Sequence, residues 1–111
     1  MTSDEIDLDG SIELVGKGAG VYVFINSFAD LDYVRETLGS EGAKDMDLGE
    51  ARGIILEQSS EDPAEMKRKF EGSVIVCPHG RTSLRFVHAL KRYGVRAYSL
   101  RGGIEGLRSG V

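Results

Sequence analysis

The sequence has one cysteine, two prolines and no tryptophan among its 111 residues. A single cysteine cannot form a disulfide within the chain, so nothing indicates a disulfide-stabilised secreted domain. No apolar run approaches the roughly 20 residues that cross a bilayer. The first ten residues include four acids (Asp4, Glu5, Asp7 and Asp9), whereas a signal peptide begins with basic residues. We therefore expect a cytoplasmic protein with no membrane partner.

The composition is that of a globular protein, with 41% hydrophobic and 29% charged residues. This length suits one domain with a real core. We predict a flexible acidic arm over residues 1–11. A single domain is predicted over residues 12–111.

Charge is distributed unevenly along the chain. The net charge is −4, yet the segment from residue 77 onward contains seven basic residues and one acid, Glu105. A positive region of this kind raises the local concentration of an anionic ligand. No aromatic residues interleave with these bases to stack on nucleotides, so nucleic acid is not the expected partner.

Apolar runs alternate with helical patterns along the chain. Strands are predicted at residues 12–15, 21–25, 53–56, 73–76 and 95–100, and helices at residues 27–38 and 84–93 and in a short segment that begins at Pro63 with Asp62 as its N-cap. Residues 39–49 are predicted to be a loop. The glycine-rich run at residues 16–20 lacks phosphate-loop spacing and precedes a strand, which favours a turn. The order predicts an α/β fold with a mainly parallel central sheet flanked by helices.

The cysteine lies where such a sheet forms its sites. Cys77 follows the strand at residues 73–76, and a short polar loop leads from it into a helix. Sites of α/β sheets form at the carboxyl ends of the strands, and a helix N-terminus favours thiolate over thiol. We predict that Cys77 is a nucleophile.

Several families place a nucleophilic cysteine between a strand and a helix, and the residues at fixed distances after the cysteine distinguish them. Cysteine phosphatases need an arginine six residues after the cysteine to clamp a tetrahedral anion, and that position is Ser83. Thioredoxin-like enzymes need a second cysteine three residues on, where Gly80 stands. Both chemistries are disfavoured.

Cys77-Pro78-His79-Gly80-Arg81-Thr82-Ser83 resembles the C-x-x-G-x-x-S loop of the rhodanese-like sulfurtransferases. Residues 100–104, Leu-Arg-Gly-Gly-Ile, are similar to the L-x-G-G-I that follows the last strand in that family. The family's common loop arginine corresponds to Thr82, and Arg81 precedes it by one position.

The resemblance implies a rhodanese-like fold and a sulfurtransferase. Cys77 would take sulfane sulfur from a small anionic donor such as thiosulfate, hold it as a persulfide and pass it to cyanide or to the thiol of a protein or small molecule. The expected substrate- or persulfide-binding residues are His79, Gly80, Arg81, Thr82 and Ser83. No metal or cofactor is expected. The alternative is a rhodanese-like binding or regulatory module that has lost catalysis.

The loop residues leave several roles open. Gly80 allows a left-handed turn close to other backbone. Thr82 and Ser83 can donate hydrogen bonds to sulfur or cap the helix. Arg81 and His79 can bind an anion or face solvent.

Overall fold

The computed structural model describes residues 4–24, 28–57 and 62–109. The strands are β1 (Glu5–Ile6), β2 (Val21–Val23), β3 (Lys44–Asp45), β4 (Val74–Val76) and β5 (Tyr98–Leu100). The helices are α1 (Leu8–Gly16), α2 (Phe28–Leu38), α3 (Leu48–Ile55), α4 (Pro63–Phe70), α5 (Arg81–Lys91) and α6 (Gly103–Arg108).

The five strands form one sheet in the order β1-β5-β4-β2-β3, and each pairing is parallel. This confirms the predicted α/β class with its parallel central sheet and flanking helices. β4 is the central strand. Because the carboxyl ends of parallel strands share one edge, the segments after β4, β5 and β2 begin close together.

Two apolar cores cover the two faces of the sheet. Val74 and Val76 pack with residues of α2 and α6 on one face, whereas Ile75 packs with residues of α3, α4 and α5 on the other. Successive side chains of a strand point to opposite faces, so a central strand buried on both sides is apolar throughout. β4 meets this requirement, since its three side chains are fully buried.

The helix α4 forms where its start signals predicted it. The Asp62 carboxylate accepts a hydrogen bond from the Ala64 amide at 3.3 Å, and Pro63 is the first helical residue. Met66 and Phe70 are buried, as the spacing predicted.

The helix α2 likewise buries the predicted face, formed by Leu31, Val34 and Leu38. The predicted cap at Ser27 and the predicted last strand residue, Ile25, lie outside the described residues.

Two predicted strands are wrong. Residues 12–15 belong to α1, and residues 53–55 belong to α3. Each helix follows an aspartate cap: Asp7 accepts from the Gly10 amide at 2.8 Å, and Asp47 accepts from the Gly49 amide at 3.1 Å. These caps favour a helix, and a short apolar run alone does not distinguish a strand from a helix. The loop predicted over residues 39–49 contains β3 and the start of α3.

Residues 4–11, predicted as part of a loose arm, form β1 and the beginning of α1. Asp4 is buried, and its carboxylate lies 2.5 Å from Lys91 Nζ and 2.9 Å from His88 Nε2 on α5. The hydrogen bond from Lys91 is the largest cause that lowers the pKa of Asp4. These contacts tie the start of the described chain to α5.

Within the described ranges, no helix combines the length and apolar character that crossing a membrane requires.

Candidate functional site

Cys77 is the first residue after β4, at the carboxyl edge of the sheet, and it is only 1% exposed. The helix α5 begins at Arg81, three residues earlier than the sequence pattern predicted. Thr82 and Ser83 are therefore part of the first helical turn. The connection from strand to helix consists of only four residues, 77–80.

The sulfur of Cys77 receives hydrogen bonds from the start of α5. The backbone N–H groups of Gly80 and Ser83 donate to Sγ at 3.0 and 3.3 Å, and the thiol donates to Ser83 Oγ at 3.2 Å. The first amides of a helix have no partner within the helix and carry partial positive charge. The N-cap residue, Gly80, makes no side-chain capping bond, so sulfur takes the place of the usual capping oxygen. The sulfur therefore lies at the positive end of the α5 dipole.

Gly80 adopts the predicted left-handed conformation, with φ of 82°. A Cβ atom at this position would lie 3.1 Å from the Gly102 amide nitrogen and 3.3 Å from the Leu100 carbonyl oxygen. Glycine is therefore required by both the turn and the neighbouring backbone.

The turn between β5 and α6 closes against the cysteine loop. The Ile104 amide donates to the Cys77 carbonyl at 3.0 Å, and the Glu105 amide donates to the Pro78 carbonyl at 2.9 Å. A Cβ on Gly103 would lie 2.1 Å from the Cys77 carbonyl oxygen. The two segments therefore contact each other through backbone atoms, with no side chain between them. The two sequence motifs singled out above are thus in direct contact.

Ser83 is fully buried, and its hydroxyl shares a hydrogen bond of 2.6 Å with Ser99 Oγ on β5. The sequence left open whether Ser83 contacts the sulfur or caps the helix. In the structure Ser83 contacts the sulfur, and its side chain does not cap α5. Ser99 was not predicted as part of the site. The sequence did contain an indication of its role, because Ser99 is a polar residue next to apolar residues of a predicted strand. A buried polar side chain requires a hydrogen-bond partner.

A cavity of about 220 Å³ opens beside the thiol. Its lining comprises Phe24, Leu48, Cys77, Pro78, His79, Arg81 and Thr82. The predicted residues His79, Arg81 and Thr82 therefore come together around one space, while Gly80 and Ser83 lie behind it and hold the sulfur. His79 and Arg81 are exposed at the rim, and Thr82 is half-buried.

Two apolar residues that line this cavity were not predicted from the sequence. Phe24 directly follows β2, where its amide donates to the Val76 carbonyl at 2.8 Å. Leu48 begins α3 and is 44% exposed. The position of Phe24 at the end of a predicted strand was a usable signal, whereas Leu48 lay in a predicted loop.

The rim of the cavity carries positive charge. Arg81 forms no ion pair with another described residue. Arginine on the first turn of a helix adds to the positive end of the helix dipole, and both attract an anion. The site can hold a small anion beside a thiol.

The described residues contain no group of three or more His, Cys, Asp or Glu side chains arranged to hold a metal ion. The glycine-rich run at residues 16–20 connects α1 to β2 and so precedes a strand. It is a turn, as predicted, and lies at the amino edge of the sheet.

No family model and no solved structure matches the chain. Pyrroline-5-carboxylate reductase 3 of Danio rerio is 34% identical to it over 102 residues, which cover 88% of this chain and 32% of the relative. The chain therefore spans about a third of the length of this relative.

The similarity to a reductase overturns the predicted sulfurtransferase activity. The prediction of a thiosulfate sulfurtransferase that works through a Cys77 persulfide is wrong, because the relative belongs to the oxidoreductases. The physical reason for the error lies in the loop itself. Amides that hold a sulfur beside an anion-attracting cavity do not specify which reaction follows.

Proposed function

We propose that this chain binds a small carboxylate in the cavity beside Cys77 and serves an oxidoreductase that acts on a cyclic imino acid. The observation that carries the proposal is the cavity at the N-terminus of α5, with an arginine on its rim and a thiol in its wall. The reaction class comes from the reductase relative, whose name specifies pyrroline-5-carboxylate.

The cavity suits a ring with one carboxylate. The guanidinium of Arg81 can pair with the carboxylate through two parallel hydrogen bonds. Phe24 and Leu48 provide apolar surface for a small ring. The volume of about 220 Å³ is below the roughly 300–1,000 Å³ of pockets that take drug-sized molecules, which favours a small metabolite.

Reduction of a cyclic imine adds a hydride to the ring carbon and a proton to the ring nitrogen. His79 borders the cavity and is the group placed to supply that proton. The hydride must come from a separate donor. We propose that this chain, a third of its relative in length, contributes binding and proton transfer.

Two further points are part of the proposal. The rhodanese-like character is proposed for the fold alone, and it is supported by the contact between residues 77–83 and 100–104 that carry the resemblance. A cytoplasmic location is likewise proposed, because a single cysteine gives no indication of an oxidising compartment.

The binding step is tested by titrating ¹⁵N-labelled protein with pyrrole-2-carboxylate, a stable planar analogue. We expect chemical-shift changes at the amides of Arg81, Thr82 and Phe24. Arg81→Gln should weaken binding roughly fivefold, as expected for loss of an ion pair of about 1 kcal/mol. Arg96→Gln is the matched control, because Arg96 is exposed and precedes β5 at the other edge of the sheet.

Binding that is equal in the Arg81 and Arg96 variants would reject the proposed carboxylate site. The reaction is tested separately, by supplying pyrroline-5-carboxylate with a reduced nicotinamide as hydride donor and measuring proline. Proline formation that falls in His79→Gln supports the proton-transfer role. Binding without proline formation would reject the oxidoreductase role and leave the binding site in place.

A further inference from the structure

A second cavity adjoins the one beside Cys77. It has a volume of about 320 Å³ and lies between α3 and α5. Leu48 of α3 and Thr82 of α5 line both cavities. The same two side chains border both spaces, so the cavities are neighbours along α5, and we refer to the two together as the groove.

Two arginines face this second cavity from different helices. Arg52 lies one turn after Leu48 on α3, and Arg85 lies one turn after Arg81 on α5. Both arginines are exposed, and neither forms an ion pair within residues 4–24, 28–57 and 62–109. Two cationic groups that converge on one cavity create a potential that favours an anion.

The groove also exposes apolar side chains. Leu48 is 44% exposed and Leu56 is 60% exposed, and both line the second cavity. Among the described residues, the one other large apolar side chain with comparable exposure is Ile12, which lies on α1. Apolar surface concentrated between cationic groups is typical of a binding groove.

We propose that Arg52 and Arg85 form a second anion-binding subsite, and that the groove also binds an elongated molecule with an anionic group at each end. One end lies in the cavity beside Cys77, the other lies between Arg52 and Arg85, and an apolar middle crosses Leu48. The placement of the first end rests on the proposed function. The second subsite rests on the cavity between α3 and α5 alone.

The test compares ligands with one and two anionic ends. Linear dicarboxylates from glutarate to suberate are titrated into the full chain, each beside the monocarboxylate with the same number of carbons. We expect one length to bind roughly five- to tenfold more tightly than its monocarboxylate, as two surface ion-pair contacts of up to about 1 kcal/mol each allow. Its shifts should extend to the Arg52 and Arg85 amides. A phosphonate in place of the distal carboxylate distinguishes a phosphate-like end from a carboxylate end.

Arginine variants show which residues provide the higher affinity for the dicarboxylate. In Arg52→Gln and in Arg85→Gln, the affinity ratio of the dicarboxylate to the monocarboxylate should fall to roughly two to three, because one of the two contacts remains, and in the double variant it should fall to about one. In Arg96→Gln the ratio should remain at the wild-type value. Equal affinities for the two ligand types in the wild type, or an unchanged ratio in both arginine variants, would overturn the second subsite. If dicarboxylates shift the α3 and α5 amides while no monocarboxylate binds, the second subsite stands and the proposed function fails.

Discussion

Gly103→Ala tests whether the cysteine loop is held in place by backbone contact with the β5–α6 turn. The added Cβ would lie 2.1 Å from the Cys77 carbonyl oxygen and 2.7 Å from both the Gly80 nitrogen and the Pro78 carbonyl oxygen. All three are backbone atoms, so no side-chain rotation relieves the overlap. Gly103 also has φ of 61°, a left-handed conformation that alanine disfavours.

The structure sets the expected magnitude. A left-handed non-glycine residue costs about 1–2 kcal/mol, and forcing an extra carbon into a packed region costs typically about 1–3 kcal/mol. We therefore expect Gly103→Ala to lower the free energy of unfolding by about 2–5 kcal/mol. Gly94→Ala is the matched control, because Gly94 has φ of 76° and a Cβ there meets nothing within 4 Å. It should cost only about 1–2 kcal/mol.

Urea denaturation at pH 7 measures both losses. With m-values of about 1–3 kcal/mol/M, the two midpoints should differ by roughly 1 M, with similar slopes. Alkylation of Cys77 by iodoacetamide in native buffer provides a second readout, and it should be faster in the Gly103 variant because the displaced loop exposes the buried sulfur. Equal losses in the two glycine variants would refute the idea that the close backbone contact matters.

Three further variants test other contacts that stabilise the fold. The hydrogen bond from Lys91 lowers the pKa of Asp4, so its carboxylate stabilises the folded state above an unfolded pKa of about 3.9, and this contribution is lost as pH falls through the lower folded pKa. Asp4→Asn should therefore cost about 1–3 kcal/mol in urea denaturation at pH 7 and little at pH 2; an equal cost at both would contradict the ion pair. Ser83→Ala leaves the Ser99 hydroxyl buried without its partner and should cost about 1–3 kcal/mol, with Ser83→Ala/Ser99→Ala costing less than the sum of the single changes; simple additivity would refute the coupling. Asp62→Ala removes the cap of α4 and should cost about 1 kcal/mol by thermal denaturation, and an unchanged melting temperature would exclude the cap.

The elements that the sequence predicted well are those with strong local signals. The helix α4 has a capping aspartate, a proline at its first position and apolar residues at helical spacing, and the structure uses all three. The central strand β4 is a run of β-branched residues bounded by glycine and by the polar loop. In both cases, neighbouring residues alone determine the local structure.

The elements that were missed depend on distant contacts. β1 and β3 are each two residues long, and Lys44–Asp45 is exposed and charged. These residues become strands only because β5 and β2 offer them a partner edge. A periodicity argument requires a longer segment, so it could not find them.

The residues of the candidate site also fall into two groups, those predicted from local sequence and those brought in by distant contacts. The sequence predicted Cys77 and the residues that follow it, because they are adjacent along the chain. Phe24 follows β2, Leu48 lies on α3 and Ser99 lies on β5, and only the sheet order brings them to the thiol. The loop motif could not predict the reaction class, because the same geometry supports several thiol and anion chemistries.

The earlier start of α5 changes what Arg81 can do. Although its position differs from that of the expected loop arginine, Arg81 lies on the first turn of the helix and on the wall of the cavity. The sulfur already accepts hydrogen bonds from the amides of Gly80 and Ser83. The amides of Arg81 and Thr82 remain, since first-turn amides have no partner within a helix. In the proposed function, these two amides and the Arg81 guanidinium are the donors offered to the carboxylate. The thiol and the proposed carboxylate thus share one positive helix end.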